Sequence, residues 1–415
     1  MRIAIVGAGV SGLVAAHLLH REHEVVLYEA GSYAGGHTNT IRVDTEHATH
    51  QIDTGFIVMN DRNYPSFTRL LDALGIARQP THMSFSVKAA DRDFEYSGTP
   101  RGLYCQPRNL LSAQFQGMVL DLLRFNRKLR QTLREPHASG ESLGEFLARH
   151  RFSRMFVERL LVPQVSAVWS SDPREIGGFP VRFLAEFFAN HGMLGFRDRP
   201  RWSTVTGGSA RYVDALTAPF RERIRLNAPV RRISRASDGV AVTAAGCEPE
   251  HYEQVVLAVH SDQALALLAD PSPAERELLG AIPYQHNEAV LHTDSRLLPR
   301  RRAARAAWNF HLLAEPKPLS TVTYYMNHLQ SLRADRDFCV TLNHTEAIDP
   351  EKIIRTISYA HPVFTRAGVS AQSAHAAISG LHSRTHYCGA YWGWGFHEDG
   401  VRSALRACEP FGVTL

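Results

Sequence analysis

The chain has 415 residues, 44% hydrophobic and 21% charged, with a net charge of +5. That balance describes roughly two to three folded domains, excludes a disordered chain, and contains no apolar run of the ~18 residues a bilayer span requires. Five widely spaced cysteines without a CxxC pair fit reduced cytoplasmic thiols, and no motif argues for zinc, a disulfide framework or nucleic acid.

From the amino terminus, Arg2 to Val6 predicts a strand, Gly7-Ala8-Gly9-Val10-Ser11-Gly12 a GxGxxG turn, and Leu13 to Leu19 an apolar helix. Glu24 to Tyr28 predicts a second strand ending in Glu29. Gly7 allows the tight turn, Gly9 lets a pyrophosphate approach the backbone, and Gly12 lets the helix pack closely on its strand. The free N–H groups at the helix start attract phosphate, and a carboxylate at Glu29 accepts hydrogen bonds from a ribose diol. This frame predicts an adenine dinucleotide bound by Gly7, Gly9, Ser11, Gly12 and Glu29. It also argues against a signal peptide, because the apolar helix carries the phosphate turn and lacks a small-residue cleavage site. His17, His20 and His23 read as a solvated helix face, and no cluster predicts a metal.

A glycine pair follows in Gly35-Gly36-His37-Thr38, and Gln51 to Phe56 predicts a strand ending in Asp53-Thr54-Gly55-Phe56. Residues 103–199 read as helical. Within them Ser142-Leu143-Gly144-Glu145 is a capping box, and Asp172-Pro173 a cap with Pro at the first helical position. Val181, Leu184, Phe187 and Phe188 repeat at helical spacing until His191-Gly192. The four phenylalanines between 179 and 188 read as packed core rather than as channel lining. Thr206-Gly207-Gly208 then turns the chain into a helix with Tyr212, Val213 and Leu216 inward. Ile224 to Val230 and Tyr252 to Val259 predict strands. Ala289–Thr293, Trp308–Leu312, Thr321–Met326 and Phe338–Leu342 alternate like an antiparallel sheet. Arg300 to Arg305, beside Trp308, predicts contact with an anionic membrane surface, since arginine binds phosphate and tryptophan favours the interface. Tyr387 to Gly400 predicts a strand, a Gly/aromatic loop and a terminal helix.

The turn, the glycine pair and the Asp-x-Gly-Phe strand end together resemble the flavoproteins that include amine oxidases, phytoene desaturases and protoporphyrinogen oxidases. The resemblance implies FAD as cofactor, held further by Gly35, Gly36, His37, Thr38, Gly55, Phe56, Val230, Gly389, Ala390 and Asp399. It implies an α/β fold: a discontinuous Rossmann-like FAD-binding domain (1–80, 201–285, 376–415) and an α+β substrate domain of helices and antiparallel sheet (81–200, 286–375). The terminal helix would aim its N-terminus at the flavin, where partial positive charge stabilises the reduced anion.

Three positions depart from the wider pattern. His37 stands where many relatives carry Arg, Ala390 where they carry Glu or Asp, and His397 where amine oxidases place one aromatic wall of a cage. A narrower likeness spans nearly the whole chain. Gly395-Phe396-His397-Glu398-Asp399-Gly400, Met326-Asn327-His328-Leu329-Gln330, Asn287 to His292 and His361-Pro362-Val363-Phe364 resemble predicted FAD-binding proteins found with cyclopropane-fatty-acyl-phospholipid synthases. That likeness implies an FAD-dependent oxidoreductase desaturating or oxidising a lipid-linked acyl chain, with His397 as the candidate catalytic base. Two alternatives stand beside it. One is an amine oxidase with Tyr391, Trp392 and Trp394 as the local cage; the other is a non-catalytic binding protein of the GDP-dissociation-inhibitor type.

Overall fold

The computed structural model describes residues 1–90, 93–135, 140–195, 199–315 and 317–415. The expected helical stretch 103–199 therefore lies partly outside the described residues, at 136–139 and 196–198. The helices that shape the molecule's interior are α1 (Val10–Leu19), α2 (Ala113–Arg134), α3 (Val181–Asn190), α4 (Ala210–Thr217) and α5 (His397–Cys408).

Five parallel strands form one sheet, in the order Ile224–Arg225, Glu24–Tyr28, Arg2–Val6, Gln254–Leu257 and Thr385–Tyr387. Its inner strands are covered on both faces, so their sequences run apolar without alternation. On one side α1 packs with α5, where Leu13, Ala15 and Ala16 share a core with Val401, Ala404 and Cys408. On the other, Ala4, Val6 and Val26 meet Ile233, Val240 and Val242 of a three-stranded antiparallel meander. The sandwiched position of α1 overturns the expected solvated face. His17 is buried with Nδ1 3.3 Å from the Leu216 carbonyl, and burial lowers its pKa.

The second sheet has seven strands, ordered Ile353–Pro362, Tyr284–His292, Cys339–Leu342, Val322–Tyr325, Trp308–Leu312, Phe85–Ala89 and Phe94–Ser97. Four of these match the expected runs. Of the other three, Ile353–Pro362 follows next in the chain, whereas Phe85–Ala89 and Phe94–Ser97 come from a distant segment, and Trp308–Leu312 pairs in parallel with Phe85–Ala89, so the sheet is not wholly antiparallel. Ile52 and Ile57, from the stretch expected in the first domain, pack beneath this sheet with Ala289, Leu291 and Phe338.

Helices cover the other side of the second sheet around an aromatic core that includes Phe115, Phe125, Phe146, Phe156, Phe187 and Phe188. The Ser142 capping box is present, with Glu145 accepting from the Ser142 N–H at 2.7 Å. Pro163 lacks an N–H, and the chain enters Val162–Trp169 through the π-helical turn Val157–Leu161. Asp172-Pro173 does not start an α-helix. Ser170 ends the preceding helix at φ 52°, and the Asp172 carboxylate closes a turn onto the Arg174 N–H at 2.9 Å. Among the described residues, no helix is long and apolar enough to cross a membrane.

Candidate functional site

The glycine turn is built as its spacing demands. Gly7 has φ 102° and donates to the Tyr28 carbonyl at 2.8 Å. A Cβ on Gly12 would lie 1.9 Å from the Gly7 carbonyl oxygen, so any side chain there would push α1 off its strand. A Cβ on Gly9 would meet nothing within 4 Å, and no described side chain caps α1, so bare backbone faces open space. Glu29 holds the next loop in place: its carboxylate accepts from the Ala8 N–H at 2.8 Å and the Gly31 N–H at 2.7 Å. Gly35 donates to the Ala8 carbonyl, and a Cβ on Gly36 would lie 3.0 Å from Gly9 Cα, so the two glycine loops cross backbone to backbone.

These loops line one end of a cavity of about 1340 Å³. Gly7, Gly9, Ser11, Glu29, Gly35, Gly36, His37, Gly55, Phe56, Val230, Gly389, Ala390 and His397 all border it. Gly12, Thr38 and Asp399 do not. Beyond the glycine loops the cavity widens into an apolar chamber walled by Leu122 of α2, Leu160, Phe187 and Phe188 of α3, Trp308 and Phe364. Phe187 and Phe188 of α3 thus serve both as core and as lining.

One expected residue gains a structural task and another turns away from the cavity. His397, the expected base, lies at the start of α5 with Nε2 2.9 Å from Thr38 Oγ1 and 3.0 Å from Tyr212 OH. Its ring stacks on Phe56 at 3.7 Å, and burial lowers its pKa to about 3. Held by two hydroxyls, Nε2 joins α5 to α4 and the glycine-pair loop, while Nδ1 has no hydrogen-bond partner among the described residues and His397 borders the cavity. Asp399 is not turned toward the cavity. Its Oδ2 accepts from the Trp394 N–H at 3.1 Å and the Phe396 N–H at 3.0 Å, closing the Gly/aromatic loop. Glu398 likewise accepts from the Ser66 and Phe67 N–H groups at 3.1 and 2.9 Å.

His37 also borders this cavity. Its ring stacks on Tyr359 at 4.8 Å and hydrogen-bonds the Ala360 backbone, while Nε2 is buried without a partner. Burial, reinforced by His260, lowers its pKa to about 4, so the imidazole is neutral at pH 7. His260 stacks on Tyr284 at 4.4 Å, and His361 accepts at Nδ1 from the Asn287 amide at 2.9 Å. Tyr359, His361, Tyr284 and His260 escaped residue-by-residue reasoning. The only trace of them was the likeness carried by His361-Pro362-Val363-Phe364 and Asn287.

The basic cluster also comes apart. Arg301 pairs with Asp93 at 2.8 Å, and Arg305 donates to the Pro299 carbonyl at 3.0 Å. Trp308 turns inward to the chamber, its Nε1 buried without a partner. No interfacial tryptophan therefore stands beside these arginines.

The family described as flavin containing amine oxidoreductase matches residues 10–410. Mitochondrial protoporphyrinogen oxidase of Nicotiana tabacum is 31% identical over 180 residues, covering 41% of this chain and 33% of that protein. The chain spans 33% to 59% of the length of the curated relatives it matches. Putrescine oxidase bound to putrescine superposes with a TM-score of 0.69 at 16% identity, over 99% of both chains. A CLA-producing fatty acid isomerase from P. acnes superposes at 0.68 and 16% identity, over 99% of this chain and 98% of its own. At such identities the likeness to the solved structures is one of fold.

Proposed function

Because the chain belongs to the flavin containing amine oxidoreductase family, we propose that it is an FAD-dependent oxidoreductase acting on a lipid-linked acyl chain. The residues present fit the cofactor: the bare backbone at Gly9, the uncapped start of α1, and the fixed Glu29 carboxylate form one continuous cradle. FAD, when bound, supplies a two-electron hydride acceptor. The chain's own contribution is to hold the cofactor, exclude water from the chamber, and offer His397, through its unbonded Nδ1, for the proton released with the hydride.

One observation carries the substrate reading. Among the described residues lining the cavity, Glu29 is the only acid, and it stands at the ribose end. An ammonium group deep in the chamber would find no carboxylate, whereas each buried methylene gains about 0.8 kcal/mol. The fold shared with a fatty acid isomerase and the likeness to synthase-associated proteins support the same reading. Tyr391 and Trp394 border the cavity and favour an amine oxidase as the second reading, although Trp392 is packed away under the first sheet. Anaerobic bleaching of the visible flavin band separates the two. Bleaching by unsaturated phospholipid but not by amines is expected, and the reverse pattern would move the assignment to the amine oxidase.

A further inference from the structure

We propose that the outer face of α2, together with the short helix Arg108–Leu111 before it, docks on an anionic phospholipid bilayer. Leu110, Leu111, Leu120 and Leu123 are 56%, 91%, 60% and 47% exposed. Such a concentration of open leucines on one stretch is unusual, because isolated exposed apolar residues are scattered on ordinary surfaces. Leu120 and Leu123 lie three residues apart, on one side of the helix, with Arg127 a turn further along the same side.

The charge pattern selects the partner. Residues 100–134 carry seven Lys or Arg against a single acid, Asp121, which is buried and paired with Arg124. Arg101, Arg108, Arg127 and Arg134 are exposed on the same stretch, Arg108 with Asp93 at 3.8 Å. An apolar tip inside a cationic collar is the pattern of a helix lying in a lipid headgroup layer, where leucines enter the acyl boundary and arginines meet phosphates. The inner side of the same helix supplies Leu122 and Asn126 to the chamber wall. α2 is therefore the partition between this surface and the cavity, and an acyl chain leaving the bilayer at Leu120 and Leu123 has the chamber directly behind them. Delivery by that route rests on the acyl-substrate reading; docking does not.

Vesicle flotation tests the docking without reference to turnover. The FAD-loaded protein should float with phosphatidylglycerol-containing vesicles, and at least tenfold less with pure phosphatidylcholine or in high salt. The double variant Leu111→Glu/Leu120→Glu should lose flotation while keeping its flavin band and thermal midpoint, since both side chains are largely in solvent. An Arg300→Ala/Arg302→Ala control should float like the wild type. Absence of flotation with anionic vesicles, unchanged flotation of the leucine variant, or loss in the arginine control would each overturn the proposal. The two readings fail separately. Wild-type protein that floats, yet is bleached by no lipid in vesicles or detergent micelles, would sink the substrate assignment and leave the docking face standing.

Discussion

Glu29 shows how one carboxylate does two things. It accepts the Ala8 and Gly31 N–H groups, which shapes the loop, and it borders the cavity, where under the proposed function it would accept from a ribose diol. Charge-assisted hydrogen bonds contribute roughly 1.5–3 kcal/mol each, so Glu29→Ala should weaken FAD binding at least tenfold and purify largely as apoprotein. The exposed Glu22→Ala should keep full flavin content, and equal flavin-to-protein ratios in both would place the anchor elsewhere. The two histidines separate in the same way. His37→Gln should stay yellow and keep its turnover, because the Nε2 it replaces is buried away from the chamber. His397→Ala should instead lower stability by on the order of 2–4 kcal/mol, because it opens a void beneath Phe56. It should also lose turnover, and a His397→Ala protein with full turnover would remove His397 as the proton acceptor.

Individual elements are joined by buried polar groups that local patterns do not announce. Asp53 ends the strand Thr49–Asp53 and accepts from Thr40 Oγ1 at 2.5 Å, the Ser209 N–H and hydroxyl at 2.9 and 2.7 Å, and the Gln330 amide at 3.0 Å. It thus ties a strand end to the start of α4 and to a segment of the second sheet. Burial raises its pKa to about 6, leaving it ionised at pH 7. Every partner is a donor, so an amide in its place would set N–H against N–H. Asp53→Asn should cost about 2–4 kcal/mol at pH 7, measured as a shift in denaturant midpoint at constant slope. A shift below the equivalent of about 0.5 kcal/mol would show that the knot is not needed to hold the elements together.

For the molecule as a whole, the buried histidines set the response to acid. Burial lowers His292, His375 and His386 to about 4, and His311 and His397 to about 3, from the ordinary 6.5. A depressed folded pKa means that the unfolded chain takes up the proton first. The stability from these groups is fully present above pH 6.5 and is lost as the pH falls toward their folded values. Asp53 and Asp399, both raised to about 6, act in the opposite sense: their contribution is present below 3.8 and lost as the pH rises through about 6. Each group contributes about 1.4 kcal/mol per pH unit, so five histidines outweigh two carboxyls. The thermal midpoint should drop steadily from pH 7 to pH 5, and a flat profile would contradict the burial of these rings.

Sequence by itself determined the dinucleotide frame, because strand, GxGxxG turn, helix and second strand are contiguous and each glycine answers a local steric demand. The Ser142 capping box and the apolar periodicity of α3 were legible for the same reason. Tertiary structure alone decided which way side chains face and what they meet. Thr38 and Tyr212 reach His397 across 359 and 185 residues, Arg301 is matched to Asp93 across 208, and Trp308 turns into the chamber instead of toward solvent. The parallel pairing of Trp308–Leu312 with Phe85–Ala89 belongs with them. Backbone conformation follows from neighbours along the chain; the partner of a buried polar group is set only when distant segments pack, and that packing is what makes His397 a structural tie through Nε2.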